Sequence, residues 1–142
     1  MKTLLKKVIP SIVINFLRDF YYALKPMDNY QRYMKIVNHR NGLEVGGPSN
    51  ILKYFLPVYR DCHSMAFINF SNKTVWEGEL NQETKFFKDK FGKQYIGEAT
   101  DLSQFEDNTF EFIVSSNCLE HVANPLKAIK EWMRVGSGAI IL

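Results

Sequence analysis

Three short stretches carry residue types that could do chemistry. Glu44 stands inside the apolar run Leu43-Glu44-Val45 and is followed at once by Gly46-Gly47-Pro48-Ser49-Asn50. Paired glycines let a backbone come close to a ligand, and they serve equally well in a tight strand-to-helix turn with no ligand at all. The second stretch, GEATDLSQFEDNTFEF over residues 97–112, holds Glu98 and Asp101. Each acid could accept hydrogen bonds from a ligand or cap its own turn. The third, SSNCLEH over residues 115–121, ends on Glu120-His121. An imidazole exchanges protons near neutral pH, which makes His121 the candidate base, although a histidine following a strand is more often packed or surface-bridging. His39, His63 and His121 have no metal-ligand spacing with one another or with Cys62 and Cys118, so no metal site is expected. Two cysteines without CxxC spacing point to reduced thiols in a cytoplasmic protein.

Residues so far apart meet only if a scaffold collects strand ends. Residues 43–45, 64–70 (SMAFINF), 94–97, 110–116 (FEFIVSS) and 139–142 read as five strands bounded by turn formers. Residues 27–37 read as a helix leading into the turn His39-Arg40-Asn41-Gly42. Residues 125–135 read as another, with Asn124 as its cap and Pro125 in its first position. Leu126, Ile129, Trp132 and Met133 form the stripe expected to face the core. Trp76 and Trp132 are read as core or edge residues rather than stacking platforms. Strands separated by helical stretches predict an α/β, Rossmann-like parallel sheet with helices on both faces. Ligands of such sheets bind outside the carboxyl ends of the strands, where all three stretches fall.

At 142 residues and 46% hydrophobic, the chain has room for one core domain but not two. A net charge of +3 is too small to argue for a nucleic-acid partner, yet it is uneven. Residues 1–40 carry eight Lys/Arg against two Asp/Glu, and residues 41–142 carry ten against thirteen. The chain is thus divided into a basic helical segment, 1–40, and a domain, 41–142. Leu4, Leu5, Val8, Ile12, Phe16 and Phe20 recur near helical spacing, with Pro10 splitting the segment into two short helices. Such a pattern suits either packing over a sheet edge or peripheral contact of residues 1–24 with a membrane surface. Pro10, Asn15, Arg18 and Asp19 interrupt any spanning run, and no small-residue cleavage site marks a signal peptide.

LEVGGPS resembles the first motif of the class I S-adenosylmethionine-dependent methyltransferases. The resemblance implies that Glu44 is the motif acid and that Gly46 and Gly47 line the methionine portion of the cofactor. Pro48 and Asn50 stand where the commoner form has further glycines, and a nicotinamide-type GxGxxG is absent. Asn69 occupies the place of the usual ribose-binding carboxylate, with Glu77 or Glu79 as substitutes from the following WEGEL segment. The 97–112 stretch resembles the family segment that contacts adenine, which implies that role for Glu98, Ala99 and Asp101. FEFIVSSNCLEHVANPLKAIKEW is similar to the corresponding stretch of type-11-like methyltransferases. It implies Ser116 and Asn117 beside the transferable methyl group, Glu120 organising the turn, and His121 as the catalytic base where the acceptor needs one.

The implied cofactor is S-adenosylmethionine, and the implied activity is methyl transfer to a small-molecule or saccharide acceptor. The alternative is a non-catalytic cofactor-binding remnant or partner module. The resemblance covers residues 42–142, whereas the family sheet has seven strands against about five here. A C-terminally incomplete form is therefore expected, with its last strand exposing an apolar edge open to association.

Overall fold

Apolar strands buried on both faces require helices above and below, and this is the arrangement found. The computed structural model describes residues 13–14, 16–17, 21, 30–71, 73–74, 78–79 and 82–142. The helices are α1 (Tyr30–Val37), α2 (Val58–Asp61) and α3 (Pro125–Val135), with a wide π-type turn at Ile51–Phe55 and a 3₁₀ turn at Leu119–His121. The main sheet contains β1 (Asn41–Val45), β2 (Ser64–Asn69), β5 (Glu83–Phe87), β6 (Lys90–Ile96), β7 (Phe110–Ser115) and β8 (Gly136–Ile141). A separate short antiparallel pair is made by β3 (Lys73–Thr74) and β4 (Gly78–Glu79).

The strand order of the main sheet is β5-β6-β2-β1-β7-β8. All five expected strands are present and run parallel, and β5 adds an antiparallel sixth at the edge. The sequence reading missed this hairpin because charged residues dominate 83–93. Its anchor is Phe86, buried edge-to-face against Tyr59 and Phe67 at centroid distances of 5.3 and 5.5 Å.

Strand alternation sends β1 to two different cores. Leu43 and Val45 face α3, joining Ile68, Leu102, Phe105, Ile113, Ala128 and Trp132. Glu44 is in register with Phe67 and Val114, which belong to the opposite core beneath α1, α2 and the π-type turn. An acid is thereby carried into an apolar layer, and its partners there define the site below.

The start of α3 is as expected: Asn124 Oδ1 accepts from the Lys127 N–H at 3.0 Å, with Pro125 inside the first turn. Its core stripe needs correction. Leu126 and Met133 are 79% and 65% exposed, whereas Ala128, Trp132 and Val135 are fully buried. Trp132 is buried as expected and Ile129 is half-buried, but the inward face is rotated toward Ala128 and Val135, which stand at helical spacing from Trp132 and leave the indole at the centre of the buried side. From Val135 the chain enters β8 with no intervening loop. β8 lies at the sheet edge, with Ser137 and Gly138 exposed and Ile141 buried.

Of the N-terminal stretch, Val13, Ile14, Phe16, Leu17 and Tyr21 are helical and exposed. Leu4, Leu5, Val8, Pro10, Ile12 and Phe20 lie outside the described residues, as do Trp76 and Glu77. Among the described residues no helix is long and apolar enough to cross a membrane.

Candidate functional site

The chain leaves β1 through Gly46, whose φ of +86° lies in the left-handed region open to glycine. A Cβ there would stand 2.9 Å from the Cβ of Cys118, and one on Gly47 would collide with the carboxyl carbon of Glu44. Both glycines are therefore demanded by local packing, and together they present the turn as bare backbone. Gly46 N–H donates to Ile68 O at 2.9 Å, which closes the turn onto the neighbouring strand.

Beneath the turn, Glu44 is completely buried. A carboxyl group removed from water needs donors, and Tyr59 of α2 supplies one from its hydroxyl to Glu44 Oε2. The same phenol oxygen accepts from the Ser49 N–H at 2.7 Å. A relay thus runs from the buried acid through a phenol to the backbone of the turn. Burial, reinforced by the charge of Glu44 and the hydrogen bond to it, pushes the Tyr59 hydroxyl well above its ordinary value, so it stays protonated and able to donate.

Asn69, at the end of β2, is also turned inward and only 9% exposed. Its Nδ2 donates to Gly47 O at 2.7 Å and to Gln94 Oε1 at 3.2 Å. Its own carbonyl accepts from the Gly97 N–H at 2.9 Å, where the loop after β6 begins.

That loop is held mainly by α3. The Trp132 indole donates to Ala99 O at 2.9 Å, and Glu131 Oε2 accepts from the Leu102 N–H at 3.0 Å. Arg134 reaches Leu102 O and Phe105 O at 3.0 Å each, Asp107 Oδ1 at 2.8 Å and both oxygens of Glu131. Hydrogen bonds from Arg134 hold the Glu131 carboxyl below the ordinary glutamate value. Glu98 and Asp101 are exposed, and Ala99 is half-buried. Asp101 Oδ1 accepts from the Ser103 N–H at 3.1 Å, and the hydrogen bonds from Ser103 lower its carboxyl. Asp101 therefore caps its own turn.

At the end of β7, Ser115 is buried and its hydroxyl donates to Val45 O at 3.1 Å, which ties the ends of β7 and β1 together. Ser116 is half-buried, and Asn117 is exposed with a φ of +55°. Cys118 lies against Gly46, and burial pushes its thiol up, so it is a packing group at neutral pH. Glu120 and His121 are both exposed on the 3₁₀ turn, whose His121 N–H donates to Cys118 O at 3.0 Å.

The turn is thus held at two points, with Glu44 bonded through Tyr59 to the Ser49 backbone and Asn69 bonded to Gly47 O, and Gly46 beside them. Glu98, Ala99 and Asp101 belong to a second unit joined to the turn through the Asn69 backbone. His121 stands at the surface, outside the buried network. The sequence reading missed Tyr59, Gln94 and the anchoring groups of Trp132, Glu131 and Arg134. A buried strand acid does announce that a donor must exist, but seven tyrosines and many other donors could have answered.

A turn that presents glycine backbone between partly exposed strand ends fits a ligand laid across the carboxyl ends of the strands. The family model described as a methyltransferase domain matches residues 43–141 of the chain. The structure of a putative methyltransferase from Haloferax volcanii, in complex with the Trm112 methyltransferase activator, superposes with a TM-score of 0.52 at 14% identity, covering 77% of this chain and 46% of that one. The MccD protein superposes with a TM-score of 0.51 at 21% identity, covering 80% and 50%. No curated protein matches the sequence. This chain spans about half the length of the structures it matches, and at these identities the likeness concerns the fold. The family's methyl donor is S-adenosylmethionine, and that is the cofactor of this domain. A family match over residues 43–141, on a parallel α/β sheet, establishes that the chain belongs to the class I S-adenosylmethionine-dependent methyltransferase family, in its type 11 methyltransferase-domain branch.

Proposed function

We propose that the chain seats S-adenosylmethionine at the carboxyl ends of β1, β2, β6 and β7 and serves methyl transfer to a small-molecule or saccharide acceptor. The observation that carries this reading is the Glu44–Tyr59–Ser49 relay, which fixes a side-chain-free turn at the switch point of a parallel sheet. A buried acid serving only to hold a turn is costly, and its use is to keep that turn in one shape before a ligand arrives. When bound, the cofactor supplies a methyl group on a sulfonium, which is displaced in line. The chain's task is therefore placement and exclusion of water.

In this reading Gly46 and Gly47 offer backbone to the amino-acid end, and Ser116 and Asn117 border the reacting end. Glu98, Ala99 and Asp101 flank the base. His121 would accept a proton on an imidazole nitrogen from an acceptor hydroxyl or amine approaching from the surface, and thiol or carbanion acceptors would not need it. Residues 1–40 are a basic segment preceding the 41–142 domain in sequence, and α1 within it packs on the domain core through Val37. The segment's charge and the exposed Phe16 and Leu17 support peripheral contact with a membrane surface through residues 1–24, and two cysteines without CxxC spacing suit a cytoplasmic protein.

Titration calorimetry of the folded full chain with S-adenosylmethionine tests the proposal: saturable one-site heat is expected, and none at millimolar cofactor would refute it. A second reading, a non-catalytic cofactor-binding module, draws on the exposed position of His121, outside the buried network. Transfer of a labelled methyl group to any acceptor in a cell extract would remove it.

A further inference from the structure

The end of β2 is the family's ribose-reading position, and Asn69 is placed for a different task. Gly47 O can only accept a hydrogen bond, so the Asn69 atom 2.7 Å from it must be the amide nitrogen. The same nitrogen faces Gln94 Oε1, which turns Gln94 Nε2 into a buried donor with no partner among the described residues. An orphaned buried donor is costly, and rotating the Gln94 amide to relieve it would aim two donors at each other. The arrangement is intelligible if the bond from Asn69 to Gly47 is what the site requires. Through its carbonyl the same residue also holds Gly97, so the turn after β1 and the loop after β6 meet at one side chain and its backbone.

We propose that Asn69 is a positioning residue that braces the glycine turn, and that it acts on the amino-acid end of the cofactor rather than by reading the ribose hydroxyls. This rests on the proposed cofactor seat. It inverts the expectation for Asn69→Asp. A ribose reader would gain by becoming a carboxylate, because two acceptor oxygens suit a vicinal diol. A brace loses, because the carboxylate would oppose Gly47 O. The protein should still fold, because the Gln94 amide can rotate and donate its orphaned hydrogen to Asp.

The experiment compares wild type, Asn69→Asp and the milder Asn69→Ser for binding of S-adenosylhomocysteine and of 5′-methylthioadenosine. The second ligand keeps the ribose and adenine and lacks the amino-acid end. Backbone amide exchange at Gly47 and Ser49 is followed in the ligand-free proteins. The expected result is an affinity loss of about ten-fold for S-adenosylhomocysteine in Asn69→Asp, a change within about two-fold for methylthioadenosine, and faster exchange at both amides. Asn69→Ser should show the same selectivity at smaller size, and it decides the matter if Asn69→Asp fails to fold by circular dichroism. Tighter binding of Asn69→Asp, equal losses for both ligands, or unchanged exchange would overturn the brace. Absence of binding by wild type would instead overturn the cofactor seat, and the exchange measurement would then judge the brace alone.

Discussion

The turn after β1 is held from below by a phenol and a carboxyl group that never meet water, whereas the loop after β6 is held from the side by one buried indole and a half-exposed ion-pair network. Both line the proposed cofactor site, and they tolerate change differently. In the first, each group sits in a low-dielectric setting that water does not reach, so a hydrogen bond lost there is not replaced by solvent. In the second, Arg134 contacts two carbonyls and two carboxylates, and water can replace any one of them. The turn is built to be rigid, and the loop is built to be adjustable.

The sharpest way to break this contrast is Tyr59→Phe. It removes only a hydroxyl, yet leaves the buried Glu44 without that donor and Ser49 N–H without its acceptor. A destabilisation of about 3 kcal/mol is expected by urea unfolding, with Glu44→Gln in the same background recovering part of it. A loss below about 1 kcal/mol would mean that water reaches the carboxyl group and that the relay is no brace. Trp132→Phe comes next. It keeps an aromatic core residue but frees Ala99 O, and it should cost about 1.5 kcal/mol while loosening the loop and leaving exchange in the glycine turn unchanged. Coupled loosening of both would show that the two units are one.

The smallest effect is expected at Glu131. Because its carboxyl group is lowered in the folded state, its contribution is complete above the ordinary glutamate range and is lost as pH falls through the lowered value. Thermal unfolding followed from neutral to acid pH should show a slight extra destabilisation in wild type that Glu131→Gln lacks. Identical profiles would remove the ion pair from the account.

The parallel strands were legible because their apolar runs are bounded by turn formers, and α3 began where Asn124 and Pro125 placed it. The β5–β6 hairpin was not legible, since its register depends on Phe86 finding Tyr59 and Phe67 far away in sequence. At the site, Glu44, Gly46 and Gly47 could be named from their own motif. Asn69 could be named but its orientation could not, because an amide at a strand end is equally able to face a ligand or the turn beside it.

The sequence alone determined the family, the parallel α/β order and the place of the glycine turn, because these depend on local patterns of polarity and on motifs read in order. Tertiary structure alone decided that Tyr59 answers the buried Glu44, that Asn69 turns inward, that α3 buries Ala128 and Val135 beside the expected Trp132 while Leu126 and Met133 stay exposed, and that Arg134 clamps the loop after β6. Each of these is a choice among chemically equivalent partners. Only the distances set by the folded sheet select one of them.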